Sequence, residues 1–174
     1  AGATDEFVSH FQPDILIFMA AWAHEGLSQF MPIKITQNNH IAFLNILIPA
    51  IRNGVKRVIL TSSMSVYGEQ ETPFDETMPR KPIDIYGINK SAMEETLEIL
   101  AKVHGFEYVI ARPHNVYGPR QNMKDPYRNV VTIWMNKVLK GSAVPIYGDG
   151  NQVRCFSYID DVVEALYKCG FEDV

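Results

Sequence analysis

The stretch Gly54-Val55-Lys56-Arg57-Val58-Ile59-Leu60-Thr61-Ser62-Ser63-Met64-Ser65-Val66-Tyr67-Gly68 decides how this chain folds. Val58-Ile59-Leu60 is an apolar run that reads as a buried strand of a parallel sheet. Gly54 ends the helix before it. Thr61 through Ser65 then place hydroxyls at the C-terminal end of the strand, where open α/β sheets bind their ligands. Downstream, Tyr86-Gly87-Ile88-Asn89-Lys90 sets a phenol and an ammonium four residues apart, hence on one face of a helix. The Lys90 charge is expected to lower the Tyr86 pKa from its reference near ~10, which would make the phenol a general base. The same residues also admit a plainer reading, in which Tyr86 and Lys90 are surface residues at a helix start and Ser62, Ser63 and Ser65 cap a strand end.

Outward from this stretch, apolar runs alternate with helical patterns. Strands are expected at 14–20, 57–62 and 107–111, and helices at about 34–53, 86–104, 129–140 and 160–169. The alternation implies βαβ crossovers and a parallel sheet, an α/β fold. Pro49, inside the first helix, is expected to kink it or cost a hydrogen bond. Gly105 ends the second helix. Residues 69–85, with Pro73, Pro79 and Pro82, form a long loop of the kind that covers an active site.

At 174 residues and 47% hydrophobic, the chain is long enough for one core and the beginning of a second lobe. A net charge of −4 argues against a nucleic-acid partner. The apolar stretches Ile15 to Ala23 and Ile41 to Ile51 are too short or too mixed to span a membrane. Cys155 and Cys169 form no Cys-x-x-Cys pattern and no signal peptide is visible, so a reduced, cytoplasmic chain is expected. His10, His24, His40 and His104 lack metal-ligand spacing, and no metal is expected.

Taken in order, these landmarks resemble the extended short-chain dehydrogenase/reductase family, in its nucleotide-sugar epimerase branch. Asp14 to Ala21 is similar to the strand that enters the family's alanine-rich turn, and Asn38-Asn39 to its asparagine pair. Arg112-Pro113-His114-Asn115-Val116-Tyr117-Gly118-Pro119-Arg120 and Gly148-Asp149-Gly150 through Arg154 resemble its later motifs. The resemblance implies a Rossmann-like doubly wound parallel sheet. Residues 1–120 would be the C-terminal part of an NAD-binding domain, and 121–174 the start of a substrate-binding region interleaved with it. The family's opening Gly-x-x-Gly-x-x-Gly turn, which holds the cofactor pyrophosphate, is not in these residues. The chain is therefore expected to be truncated at both ends and inactive in isolation.

What the resemblance implies for single residues is specific. Ser63, Tyr86 and Lys90 would be catalytic. NAD would be held by Ala20, Ala21, Ala23, Asn39, Thr61, Ser62, Tyr86, Lys90, Pro113 and His114. A nucleoside-diphosphate sugar would be held by Ser63, Asn115, Asn129 and Arg154, the last on its phosphates. Arg112, equally a structural ion-pair partner or a ligand contact, is left out of the site, and Arg120 and Arg128 either join Arg154 or are solvated loop charges, the second being the better reading. The implied reaction is epimerization at C4, of the UDP-glucose/UDP-galactose type, through a 4-keto sugar.

Dehydratases of the family need an acid pair where this chain has Met64 and Ser65, and decarboxylases have a glutamate at the Ser65 position. A 3,5-epimerase, a keto-sugar reductase, a dehydratase and a non-catalytic dinucleotide-binding member remain as alternatives. The family also implies a homodimer through the helices at 34–53 and 86–104, the first carrying Ile41, Leu44, Ile48 and Ile51.

Overall fold

The computed structural model describes residues 2–125, 129–146 and 148–172. Its centre is a parallel sheet in the order β1 (Ile15–Phe18), β2 (Arg57–Thr61), β3 (Glu107–Ala111). The register pairs Phe18 with Leu60 and Thr61 with Ala111, so β2 outruns β1 at the C-terminal edge. The strand expected at 14–20 is shorter, Ile15–Phe18, and among the described residues it pairs with β2 alone.

Side chains alternate across the pleat and commit the two faces to different helices. Val58 and Leu60 join Phe18, Phe43, Leu47, Met93 and Leu97 in one core, contributed by α4 (Ala42–Arg52) and α5 (Ile85–His104). Val8 of α1 (Gly2–Phe11), a helix that the sequence reading did not foresee, packs into the same core. On the other face, Gly170 of α7 (Ile159–Phe171) lies against Ile15, Ile17 and Ile59. Helices on both faces of a parallel sheet make this the doubly wound arrangement expected.

The helix expected at 34–53 begins earlier, at α3 (Pro32–Thr36), where proline serves as the first helical residue. It reaches α4 through a π turn at Gln37–Ile41. Pro49 stays inside a helix that continues to Arg52, and its carbonyl accepts from both the backbone and the side chain of Asn53. The break in the regular pattern falls at the π turn instead. Short elements that carry no periodic signal complete the chain: α2 (Glu25–Ser28), a 3₁₀ turn at Met64–Val66, and the two-residue parallel pair β4 (Val116–Tyr117) and β5 (Ser157–Tyr158). The helix expected at 129–140 is α6 (Val130–Leu139). Among the described residues no helix is long and apolar enough to cross a membrane.

The loop between the 3₁₀ turn and α5 is anchored by charge. Glu94, on α5 and wholly buried, accepts from the Arg112 guanidinium at 3.0 and 2.7 Å and lies 3.4 Å from Arg80 Nε. Arg112 also donates to the Tyr67 hydroxyl at 2.9 Å, and Arg80 to both oxygens of Glu98. Of the two parts open to Arg112, it plays the structural one. Breaking a buried pair leaves uncompensated charge, so Glu94→Gln should lower unfolding free energy by about 3 kcal/mol. Urea unfolding at neutral pH measures this, and a loss below about 1 kcal/mol would show the cluster to be solvated rather than buried.

Candidate active site

Two contacts bring the ends of β2 and α5 together. Asp84 caps α5 by accepting from the Gly87 amide at 2.8 Å, which fixes the first turn. Gly87 then lies so close to the 3₁₀ turn that an added Cβ would stand 2.8 Å from the Ser65 carbonyl oxygen. Only glycine allows that approach. Tyr86 is thereby set beside Ser63, whose hydroxyl accepts from the Ser65 amide at 3.2 Å and caps the 3₁₀ turn. One turn along α5, Lys90 is 1% exposed, its ammonium donating to the Thr61 carbonyl at 2.6 Å and lying 5.8 Å from the Tyr86 ring centre.

Ser63, Tyr86 and Lys90 open into one cavity of about 430 Å³ at the C-terminal edge of the sheet. Ala21, Ala23, Thr61, Ser62 and Pro113 also line it. A second, larger cavity of about 1050 Å³ adjoins it beneath the 69–85 loop, with Glu25, Met64 and Asn115 common to both.

The electrostatics differ from the sequence expectation. Burial pushes the Tyr86 phenol up to about 12; a hydrogen bond with Ser63 works against this, while Glu25 and Asp84 add to it. Burial pulls Lys90 down to about 8, with Glu94 opposing. The shift is upward rather than downward as expected, because burial of the phenol is its largest cause and the charges of Glu25 and Asp84 add to it. The phenol therefore stands protonated at neutral pH, as an O–H donor.

The structure distributes the remaining residues unevenly. Ala21, Ala23 and Pro113 form cavity wall, whereas Ala20 does not. Asn39, expected at the cofactor, sits behind the wall with no exposed surface: its carbonyl accepts from the Trp22 amide at 2.8 Å and its NH₂ donates to the Trp22 carbonyl at 3.3 Å. It clamps the turn that carries Ala21 and Ala23. His114 lines the second cavity rather than the first, its ring 6.4 Å from Phe74, because Pro113 takes the inward position.

Asn115 donates to the Cys155 carbonyl at 2.8 Å and so ties the Arg154 segment to the pocket. Asn129 is spent on structure, capping α6 through Thr132 and donating to the Val116 carbonyl at 2.7 Å, although it borders the first cavity. Arg154 lines the second cavity and Arg120 is exposed; Arg128 lies outside the described residues. Glu25 was not singled out from the sequence, and its one signal there was an acid two residues past Ala23, in the turn leaving β1.

The cavity fits the nicotinamide end of NAD. Thr61 Oγ1 and Ser62 Oγ are buried without a hydrogen-bond partner among the described residues, both residues line the wall, and the methyl groups of Ala21 and Ala23 leave room for a flat ring. Lys90 adds a cation at the same wall.

Comparison with known proteins agrees. UDP-glucose 4-epimerase from Thermotoga maritima, solved with UDP-glucose, is 36% identical and superposes with a TM-score of 0.90, over 95% of this chain and 54% of that one. The Thermus thermophilus UDP-glucose 4-epimerase complex with NAD is 31% identical at a TM-score of 0.90, over 99% of this chain and 58% of that one. A UDP-N-acetyl-α-D-glucosaminuronate decarboxylase from Bacillus cytotoxicus is 34% identical over 173 residues, 94% of this chain and 52% of the relative. The chain spans about half the length of the curated relatives it matches. With residues 1–169 matching the family described as "NAD dependent epimerase/dehydratase", on the fold and cavity such chemistry requires, the chain belongs to that family.

Proposed function

We propose that the intact protein inverts a hydroxyl-bearing carbon, C4, of a nucleoside-diphosphate sugar by reversible oxidation, as UDP-glucose 4-epimerases do. The observation that carries this reading is the meeting of Ser63, Tyr86 and Lys90 in one cavity beside the unpartnered hydroxyls of Thr61 and Ser62. NAD, when bound, supplies hydride exchange with the sugar carbon and the positive charge of its nicotinamide.

The chain's residues supply the proton chemistry and the positioning. Tyr86 exchanges a proton with the 4-hydroxyl from its phenolate form, which the positive nicotinamide would favour on binding: the oxygen accepts that proton as the sugar is oxidised and returns it as the ketone is reduced from the other face. Ser63 Oγ hydrogen-bonds the same sugar oxygen. Lys90, fixed by the Thr61 carbonyl, holds ribose hydroxyls, and Asn115 and Arg154 bind the substrate, Arg154 on its diphosphate. Residues 1–120 and 121–174 serve as cofactor-binding and substrate-binding parts.

The decarboxylase among the relatives marks the competing reading. Met64 and Ser65 favour epimerization over it, since neither side chain is an acid or base at neutral pH. The test is a panel of nucleotide sugars on the intact protein, read by C4 inversion. Tyr86→Phe should cut kcat by about 10²- to 10⁴-fold with nucleotide-sugar affinity nearly unchanged, because the lost oxygen acts in the transition state. Turnover at the wild-type rate in that variant would remove Tyr86 from the mechanism.

Lys90 carries a cost that its function explains. Its folded pKa, about 8, lies below the ordinary 10.5, so the buried charge destabilises the fold fully below pH ~8 and ceases to do so as pH rises toward ~10.5. Lys90→Met should therefore abolish turnover yet raise unfolding free energy at pH 7 by about 1–2 kcal/mol, with the gain shrinking by pH 10. Urea unfolding at both pH values tests this, and equal or lower stability at pH 7 would mean the ammonium is compensated.

A homodimer completes the proposal. An open apolar groove between α3 and α5 is lined by Ile33, Ile85, Ile88 and Ala92, with Ile33 74% and Ile88 48% exposed. Ile41, on the same helical stretch as Ile33, is also exposed. Packing α3–α4 and α5 against their copies buries this surface. Ile88→Glu should convert a dimer to a monomer by light scattering at micromolar concentration, and a monomeric wild type would refute the assembly.

A further inference from the structure

Glu25 lies where the two cavities meet. It lines the first with Ser63, Tyr86 and Lys90, and the second with Ser65, His114 and Arg154. Its charge acts on the Tyr86 phenol, and the charge of the Arg154 guanidinium acts on it. The carboxylate thus sits where the cavity holding the Tyr86 phenol meets the cavity holding the Arg154 guanidinium, the region a sugar ring would cross. Among the described residues no group donates a hydrogen bond to its side chain, which leaves both oxygens open to a ligand.

A carboxylate so placed works against the proposed reaction, because it makes the neighbouring phenol harder to ionise. It also bears a burden of its own: burial, and then Asp84, raise its pKa, with only Arg154 opposing. The residue as a whole is exposed, so both effects come from its side chain facing the cavities. Its placement becomes favourable when a ligand brings donors to it, since a charge-assisted hydrogen bond to a carboxylate is about twice as strong as a neutral one.

We propose that Glu25 sets substrate class: its carboxylate accepts hydrogen bonds from hydroxyl or N–H groups of an uncharged sugar ring and rejects rings that carry a carboxylate. This rests on the nucleotide-sugar reading of the cavity and narrows it to neutral hexoses as against hexuronates. Attraction and exclusion come from the same two oxygens, because a hexuronate would face Glu25 with Asp84 close by.

The experiment measures binding of UDP-glucose and UDP-glucuronate to the intact protein by calorimetry, in the wild type, Glu25→Gln and Glu25→Asp, alongside C4 inversion of both sugars. The wild type should bind UDP-glucose at least about tenfold more tightly than UDP-glucuronate. Glu25→Gln keeps the size but removes the charge, and should narrow that ratio to about threefold or less, mainly by admitting the hexuronate. Glu25→Asp should keep the preference.

A wild type that prefers UDP-glucuronate, or a ratio that Glu25→Gln leaves unchanged, overturns the assignment of Glu25 while leaving the nucleotide-sugar reading intact. Preference lost in Glu25→Gln without any C4 inversion supports Glu25 and refutes the proposed reaction. Binding of neither sugar overturns both. Glu25-dependent loss of water from UDP-glucose would also overturn the assignment, making the residue a catalytic base.

Discussion

The approach of α5 to the end of β2 is the constraint on which the site depends. Two short contacts enforce it, the Gly87 backbone against the Ser65 carbonyl and the Lys90 ammonium on the Thr61 carbonyl. Neither uses a large apolar surface. The core behind them, built from Leu60, Met93, Leu97 and Phe43, holds strand and helix at a fixed spacing, and these polar contacts choose the rotation of the helix about its axis. That rotation decides whether Tyr86 faces Ser63 or the solvent. A methyl group at position 87 would push the first turn of α5 away, and with it the phenol.

Buried charge recurs along α5 for a related reason. Lys90 and Glu94 stand one helical turn apart, both almost wholly buried, and Glu94 opposes the burial that pulls Lys90 down. Glu94 in turn is held by Arg112 and Arg80. The ammonium at the cavity is therefore the inner end of a chain of charges that reaches the surface through Arg80 and Glu98. Pairing of this kind seldom adds net stability over an apolar core of the same shape. Its value here is positional, since it also fastens the 69–85 loop that roofs the second cavity.

What could be read from the sequence follows from periodicity. The apolar run at Val58-Ile59-Leu60 and the long helix from Tyr86 occupy the places expected, because burial on both faces and a helical repeat leave a pattern in the residue order. The pairing of Tyr86 with Lys90 on one helix face was legible from spacing, but their meeting with Ser63 was expected only through the resemblance to a known family. Helix α1, the π turn and the role of Asn39 were not legible: each is decided by contacts far apart in sequence, such as Asn39 with Trp22. The sign of the Tyr86 shift was misread because spacing reports that an ammonium is near, but not how deeply the phenol is buried or that two carboxylates lie close by. Glu25 escaped notice because it opens a four-residue helix, too short to leave a periodic pattern.

A phenol held protonated at neutral pH must lose its proton before it can accept one. Once ionised it can take a proton, and the phenol so formed is the donor that gives the proton back. With its pKa raised by burial, the phenol gives up its proton only when ligands bring enough positive charge or hydrogen bonding to outweigh desolvation, and it recovers the proton when that help is withdrawn. The dry slot couples the proton to occupancy of the cavity, so base chemistry in the empty site is suppressed. The same dryness that makes Tyr86 a poor base alone makes each added charge count for more, since interactions there are screened less than in water.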